Sequence, residues 1–251
     1  MRVLLTNDDG IDSLGLKMMR SFVRSMGFAD IWTVAPSGDR SASSHSVTLN
    51  KPMHLKKTAD KTFALDGTPS DCVVVAMRKI FKEEKKPDLL LSGVNVGANV
   101  GSDKVYSGTV SAAVEGLFFG IPSIAISQLY KIKKENINWN TSSFHLHDCV
   151  KKILKHQEVL QNCAISINLP HNDINGVRYI KQGVHKMSNI VSHVKKDADD
   201  LEEIDQDFVS IHASAEFIDC QALREGFITV TPVGYDLTEY KVLNFLNENL
   251  S

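Results

Sequence analysis

Apolar and polar positions repeat with two different periods along the first half of the chain. Short apolar runs of strand length alternate with longer segments whose apolar residues recur at helical spacing. The predicted strands are Arg2–Thr6, Ile31–Ala35, Leu89–Leu91 and Ser123–Ser127, and the predicted helices are Ser13–Met26, Pro69–Phe81 and Thr109–Phe119. This alternation is typical of a mostly parallel sheet with helices on both faces. The predicted fold class is therefore α/β, with an α/β/α core.

The alternation of strands and helices is interrupted after the second predicted strand. Val47–Asn50, Met53–Lys56 and Thr62–Leu65 alternate as short strands, and Lys51-Pro52 breaks the first pair. Proline cannot donate a ladder hydrogen bond, so it separates strands. We expect a β-hairpin inserted at about 47–66, where it would overhang a site at the sheet edge.

The second half is less regular. A helix over Ser143–His156 and a strand over Cys163–Asn168 are expected to complete a core of residues 1–170. The polar segment Gln182–Asp207, with its charge run at 195–200, predicts a solvated loop.

The end of the chain becomes regular again. Gly226–Pro232 is predicted to form a strand, and Leu237–Leu250 a helix with apolar residues at helical spacing. Residues 171–251 are therefore expected to form a carboxyl-terminal extension, a strand plus a helix, that packs on another surface, such as a second subunit.

Composition narrows the function classes. The formal net charge is only −2, from 28 Lys and Arg against 30 Asp and Glu, so no bulk field favours a nucleic-acid polymer or an anionic membrane. The four cysteines, at positions 72, 149, 163 and 220, contain no C-x-x-C pair and are expected to be reduced. With no signal-peptide pattern and no apolar run of membrane-spanning length, a cytoplasmic protein is expected.

Two adjacent carboxylates, Asp8 and Asp9, follow the first strand directly and precede Gly10. Neighbouring acids next to a buried strand repel each other and lose solvation, and a bound divalent cation is the simplest compensation. The alternative is that they only cap the loop and the following helix.

Three more polar segments follow strands or begin a helix. In an open α/β sheet, segments after different strands converge at the carboxyl edge. The segments are Ala35–Ser46, with small hydroxyls, Arg40 and His45; Ser92–Gly101, with Asn95, Asn99 and several glycines; and Tyr106–Ala113, in which Ser107 and Thr109 lie at a helix start. Such a helix start suits a phosphate group, although an ordinary surface loop and an ordinary helix cap remain alternatives for the first and third segments.

Five motifs together resemble the stationary-phase survival protein SurE family. They are Asn-Asp-Asp-Gly at 7–10, Ala-Pro-x-x-x-Arg-Ser at 35–41, Gly-Thr-Pro-Ser-Asp-Cys at 67–72, Ser-Gly-Val-Asn-Val-Gly-x-Asn-x-Gly at 92–101 and Tyr-Ser-Gly-Thr-Val-x-Ala-Ala at 106–113. The resemblance is close over about residues 1–127 and resumes at 226–232 and 236–238. It implies a Rossmann-like core, a metal-dependent phosphatase that acts on nucleoside monophosphates, and a carboxyl-terminal arm exchanged between subunits.

The resemblance also assigns roles to individual residues. Its metal ligands fall on Asp8, Asp9, Ser41 and Asn95, and its phosphate-facing residues on Asn99, Ser107, Gly108 and Thr109. An all-oxygen ligand set suits one hard divalent cation per subunit, Mg²⁺ or Mn²⁺. Asp8 or Asp9 would position the attacking water or take its proton, and an aspartyl-phosphate route stays open.

Some positions depart from the family pattern. Ala42 replaces a frequent glycine, His45 stands where relatives vary between asparagine and histidine, and 215–219 replaces a small-residue turn before Asp219. His45 is a candidate to protonate the leaving group, with a solvated side chain as the alternative. Arg40 is expected to pair with a nearby acid.

The resulting prediction is a 5′- or 3′-nucleotidase, with short polyphosphate as a further substrate, that forms a homodimer or homotetramer. The rival from another class is a non-catalytic, metal-dependent nucleotide sensor whose arm reports binding to a partner. A nicotinamide-dependent dehydrogenase is disfavoured, because the fingerprint G-x-G-x-x-G is missing.

Overall fold

The structure is a computed structural model that describes residues 1–130, 137–140, 144–171, 173–184, 187–196, 202–210 and 218–250. The strands are β1 (Arg2–Thr6), β2 (Asp30–Pro36), β3 (Leu55–Ala59), β4 (Thr62–Leu65), β5 (Leu89–Val96), β6 (Ser123–Gln128), β7 (Ala164–Leu169), β8 (Gly176–Tyr179), β9 (Met187–Lys196), β10 (Glu202–Ser210) and β11 (Phe227–Val233). The helices are α1 (Leu14–Ser25), α2 (Pro69–Val75), α3 (Gly108–Phe118), α4 (Phe144–Lys155), α5 (Asp219–Arg224) and α6 (Tyr240–Asn249).

The described residues form one nine-stranded sheet in the order β3-β4-β2-β1-β5-β6-β7-β11-β8. The six strands from β4 to β7 in this order are parallel to one another, whereas β3 is antiparallel to β4 and β11 is antiparallel to β7. The predicted α/β class with a mostly parallel sheet is confirmed. Because β1 lies between β2 and β5, the strand order reverses at β1, which opens a crevice at the carboxyl ends of β1 and β5.

Both faces of the sheet are covered because the buried strands are apolar on both sides. Val3 and Leu5 of β1 belong to a core that includes Phe22 of α1 and Leu146 of α4. Leu4 points to the opposite face and belongs to the core formed with α2 and α3. The layers therefore follow from the two-residue period of the strands, from the buried apolar stripes of α1 and α4, and from the nearly complete burial of α3.

The hairpin expected over 47–66 is only partly as predicted. β3 and β4 form it, but Val47–Asn50 is not a strand, so that prediction is wrong. The physical reason is a side chain: Asp71 accepts hydrogen bonds from the Thr48 N–H at 2.9 Å and from its Oγ1 at 2.7 Å. β4 pairs with β2, so the hairpin extends the sheet at its edge. That the hairpin overhangs the site stays a prediction.

The solvated loop predicted over Gln182–Asp207 is also wrong in part. β9 and β10 form an antiparallel ribbon, which needs only backbone hydrogen bonds and tolerates polar side chains. The centre of the charge run, 197–200, lies outside the described residues, as do Ser143 at the start of the predicted helix and 215–217 before α5.

Strands β8 and β11 come from the part of the chain after residue 170 and complete the sheet. The division of the chain into a core and an extension at residue 170 stays a prediction.

No helix in the described part of the chain combines the length and the apolar content needed to cross a bilayer.

Asp71 gives the fold a testable contact, because the carboxylate serves two elements at once. It accepts from the Thr68 N–H at 2.9 Å as half of a capping box on α2, and it holds Thr48. We expect Asp71→Ala to lower the free energy of unfolding by about 2–4 kcal/mol, since a cap and bonds to a charged group are both lost. Denaturant unfolding checks this value. Asp60→Ala, at an exposed position, is the control and should change stability by less than about 0.5 kcal/mol.

Candidate active site

The turn after β1 is built to hold two acids in place. Asn7 Nδ2 donates to the Gly10 carbonyl at 2.9 Å and to Ser13 Oγ at 2.8 Å, and Ser13 in turn caps α1. Gly10 has φ +99°, and a Cβ there would lie 3.1 Å from the backbone carbonyl carbon of Gly38. The close approach of these two backbones requires glycine and brings the turn after β1 against the turn after β2.

Asp8 is buried and tied to the start of α3. Its Oδ1 accepts from Thr109 Oγ1 at 2.5 Å, and its Oδ2 accepts from the Thr109 N–H at 3.2 Å. Burial raises the pKa of Asp8 above its usual range, and the charge of Asp39 acts in the same direction, while the Thr109 hydrogen bonds oppose the shift. A cation beside this carboxylate would compensate the cost of burying its charge.

Asp9 reaches the end of β5 across the switch point, because β1 and β5 are neighbours. Asp9 Oδ2 accepts from the Val96 N–H at 3.3 Å, and Asn95 Nδ2 donates to the Gly97 carbonyl at 2.8 Å. The amide nitrogen of Asn95 is therefore committed to the backbone, and its oxygen is the atom suited to a cation. Gly93 lets β5 pack here, since a Cβ would lie 2.1 Å from the Ile126 carbonyl oxygen.

The loop after β2 brings Ser41 to the same edge. The Arg40 N–H donates to the backbone carbonyl of Asp8 at 2.8 Å, so the residue before Ser41 is fixed to the first acid. Ser41 Oγ donates to Asp39 Oδ1 at 2.6 Å. The Arg40 guanidinium contacts the carbonyl of Asp66 at 3.3 Å. The expected pairing of Arg40 with an acid is therefore wrong, because its side chain reaches a backbone carbonyl instead.

The amino terminus of α3 lies against the turn after β1, where Thr109 contacts Asp8. Ser107 caps the helix by accepting from the Val110 N–H at 3.1 Å. A Cβ on Gly108 would lie 2.7 Å from Ser43 Oγ and 3.1 Å from Asp8 Cβ, so only glycine fits beside both. The helix dipole and its first N–H groups favour an anion at this end, next to the carboxylate that favours a cation.

Sequence reasoning missed two residues at this junction. Ser43 Oγ is buried and has no hydrogen-bond partner among the described residues, although it faces Gly108. Buried hydroxyls normally form a hydrogen bond, and a polar group of a ligand at this point would supply the partner that Ser43 Oγ lacks. Asp39 is a third acid whose charge acts on Asp8 and whose carboxylate holds Ser41. The only sequence signal for either residue was membership of the Ser/Gly-rich turn.

Asn99 takes a different position from the other phosphate-facing candidates. Its Nδ2 donates to Ser127 Oγ at 2.8 Å, and its backbone N–H donates to Asn168 Oδ1 at 2.7 Å. These partners belong to β6 and β7, and Asn99 shares no hydrogen bond with Asp8 or Thr109 among the described contacts. Its role at the phosphate stays a prediction.

His45 is exposed and also paired. Its Nε2 lies 2.8 Å from Oε2 of Glu115, and its ring stacks on Phe118, whose edge meets Tyr235. Glu115 lies about two helical turns along α3 from Gly108. The role of His45 as leaving-group acid stays a prediction.

The donor set agrees with a hard cation. Within the described residues there is no group of three or more His, Cys, Asp or Glu side chains placed to hold a metal. The candidate set instead combines the carboxylates of Asp8 and Asp9 with the hydroxyl of Ser41 and the amide oxygen of Asn95. Only oxygen atoms are available, which suits Mg²⁺ or Mn²⁺ and not structural zinc.

Fold and site together define an α/β protein whose polar loops converge at the topological switch point of a doubly wound sheet. The family model described as Survival protein SurE matches residues 3–189, so the chain belongs to the SurE family. This result confirms the resemblance inferred from the motifs.

Relatives match the chain over almost its entire length. A protein named 5'-nucleotidase SurE from Erythrobacter litoralis is 38% identical, with 99% of each chain covered. Another with the same name from Rhodopseudomonas palustris is 38% identical, with 100% of each covered. The crystal structure of SurE protein from Aquifex aeolicus superposes with a TM-score of 0.78 at 34% identity and covers 99% of both chains.

The tie between Asp8 and Thr109 can be tested directly. We expect Thr109→Val to lower the free energy of unfolding by about 1–3 kcal/mol. Valine keeps the side-chain volume, but the buried carboxylate of Asp8 loses the hydroxyl that donates to it. Thr109→Ser keeps the hydroxyl and should retain the hydrogen bond. Calorimetric unfolding of both variants makes the comparison, and equal losses in the two would show that the hydroxyl contributes nothing.

Proposed function

We propose that the chain is a metal-dependent phosphomonoesterase that hydrolyses nucleoside monophosphates to nucleoside and phosphate. The observation that carries the proposal is the contact between Asp8, a carboxylate suited to a cation, and Thr109, at a helix start suited to a phosphate. The relatives named 5'-nucleotidase SurE support this reaction class. Membership of the SurE family also favours catalysis over the rival function of a nucleotide sensor.

The metal would be held by Asp8, Asp9, Ser41 and Asn95, as one Mg²⁺ or Mn²⁺ per subunit. Two features favour the fit: the all-oxygen donor set, and the burial of the Asp8 carboxylate, which raises its pKa and whose cost a cation would offset. When bound, such an ion lowers the pKa of a water and neutralises charge on phosphoryl oxygens.

The phosphate would be held at the start of α3. The backbone N–H of Gly108, the hydroxyl of Ser107 and the amide of Asn99 would donate to its oxygens. Thr109, whose N–H and hydroxyl both donate to Asp8, would face the phosphate from the same helix start. Ser43 Oγ, buried without a partner in the described structure, is a further donor. Donors fixed before the reaction are worth most as charge develops in the transition state.

Asp8 or Asp9 would orient the attacking water and accept its proton as the new P–O bond forms. The P–O bond to the sugar would break, and the departing sugar oxygen would take a proton, for which His45 is the candidate donor. A nucleophilic aspartate that forms an aspartyl phosphate is the alternative route. Both routes give nucleoside and phosphate, so the intermediate separates them. A trapped phosphorylated aspartate supports the second route, whereas solvent ¹⁸O in phosphate after a single turnover with no enzyme-bound phosphate opposes it.

The first test is phosphate release from a panel of nucleoside 5′- and 3′-monophosphates and short polyphosphate, with chelator, Mg²⁺ or Mn²⁺. We expect turnover that metal restores and that falls by at least about 100-fold in Asp9→Asn, because a metal ligand loses its charge. Asp12→Asn, an exposed acid in the same turn, is the matched control and should retain activity. Tight nucleotide binding without turnover under any metal would instead support the sensor.

The carboxyl-terminal helix supports an assembly with exchanged arms, as a homodimer or homotetramer. None of the residues of α6 is buried, although it carries large apolar side chains. These are Tyr240, Val242, Leu243, Phe245 and Leu246. An apolar stripe left in water is unfavourable and is typical of a surface that another chain covers.

Sedimentation of a Leu243→Asp variant tests this assembly. We expect the variant to shift to a smaller species, because a charge on the apolar face opposes burial. Asn244→Asp, an exposed neighbour, is the control and should sediment like the parent protein. An unchanged mass for Leu243→Asp would contradict an assembly through α6.

A cytoplasmic location is part of the same proposal. All four cysteines are free, and three of them are buried. Burial raises the pKa of Cys149 to about 11, which keeps it in the unreactive thiol form.

A further inference from the structure

A buried ion pair lies next to the candidate site and has no role in the chemistry proposed above. Lys104 is in a 3₁₀ turn, Gly101–Val105, that ends just before the helix cap Ser107. Asp219 is the first residue of α5 and is fully buried, and Lys104 is only 4% exposed. The ammonium group of Lys104 donates to Oδ2 of Asp219. Charges this deeply buried are costly to retain in a fold.

The carboxylate of Asp219 joins segments that are remote in sequence. Its Oδ2 also accepts from the Gly101 N–H at 3.0 Å, and its Oδ1 accepts from the N–H groups of Gly183 and Cys220, each at 2.9 Å. Burial alone would raise the pKa of Asp219, but the charge of Lys104 and these hydrogen bonds outweigh it and hold the pKa below its usual range. The carboxylate of Asp219 is therefore ionised at neutral pH.

The segment from Asn99 to Ser107, which contains the 3₁₀ turn, is held at its first residue by hydrogen bonds to an uncharged side chain. Asn168 accepts from the Asn99 N–H at 2.7 Å and donates to its carbonyl at 3.1 Å. Between this anchor and Lys104 the chain turns at Gly101, which has φ +53°. The two anchors leave the backbone little freedom before it enters Ser107 and α3.

We propose that the ion pair of Lys104 and Asp219 is a positioning device that places the start of α3 for phosphate binding and links it to the carboxyl-terminal part of the chain. Neither residue touches the reacting atoms in this role. The pair acts through the loop backbone, by holding Ser107, Gly108 and Thr109 against Asp8. The inference rests on the proposed function, because it assigns the phosphate to that helix start.

The test separates positioning from stability. The variants are Lys104→Met, which removes the charge and keeps most of the volume, Asp219→Asn, and the double variant. Leu146→Ala in α4, in the core on the sheet face away from α3, is a stability control. The measurements are thermal unfolding, kcat and KM with a nucleoside monophosphate, and the affinity for inorganic phosphate by calorimetry with Mn²⁺ present.

We expect Lys104→Met to weaken phosphate binding by at least about tenfold and to raise KM in parallel, since displaced donors lose affinity and rate. Leu146→Ala should lower the unfolding temperature while phosphate affinity stays within about threefold of the parent. The double variant should regain thermal stability relative to Lys104→Met, because no buried charge is left unpaired, but not its phosphate affinity.

The contrary results are specific. Phosphate affinity within about threefold of the parent in folded Lys104→Met, or recovery of affinity together with stability in the double variant, would overturn the positioning role. If Lys104→Met does not fold, the double variant decides by the same criterion. If the parent protein binds phosphate but shows no turnover, the proposed function fails, whereas the positioning inference is still decided by phosphate affinity.

Discussion

The contact between the buried carboxylate of Asp8 and the hydroxyl and N–H of Thr109 is the interaction on which the rest of the site depends. It joins the turn after the central strand β1 to the start of α3, so it places a buried carboxylate directly beside the first N–H groups of that helix. The same contact explains why Gly108 lacks a side chain, since a Cβ there would meet Asp8 and Ser43. Burying an acid costs stability, and such costs concentrate at functional sites.

The loop after β2 is organised by contacts with three other parts of the molecule. Arg40 donates to the backbone of Asp8, Ser44 donates to the carbonyl of Tyr106, and Thr48 is held by Asp71. These bonds use the backbone groups that would otherwise form strands, which accounts for the irregular course of the loop. A loop restrained at several points holds Ser41 and Ser43 in place before any ligand arrives, and this lowers the entropy that binding must overcome.

The carboxyl-terminal part of the chain contributes to the sheet and to the site as well as to the surface. β11 enters the sheet between β7 and β8, and Asp219, just before it, supplies the carboxylate that holds the loop leading to α3. Beyond β11 the chain leaves the sheet and forms α6, whose apolar side chains stay exposed.

The sequence by itself determined the strands and helices of the parallel core, because the two-residue and 3.6-residue periods record burial directly. It also identified the acids after β1 and the family, since those motifs are contiguous. Only the tertiary structure decided the irregular course of 47–50, the β9–β10 ribbon and the pairing of Lys104 with Asp219. Each depends on a partner outside the segment itself: Asp71 for Thr48, the neighbouring polar strand for β9, and Asp219 for the buried Lys104. Local periodicity carries no signal for such partners, because their energy arises only when the chain has folded.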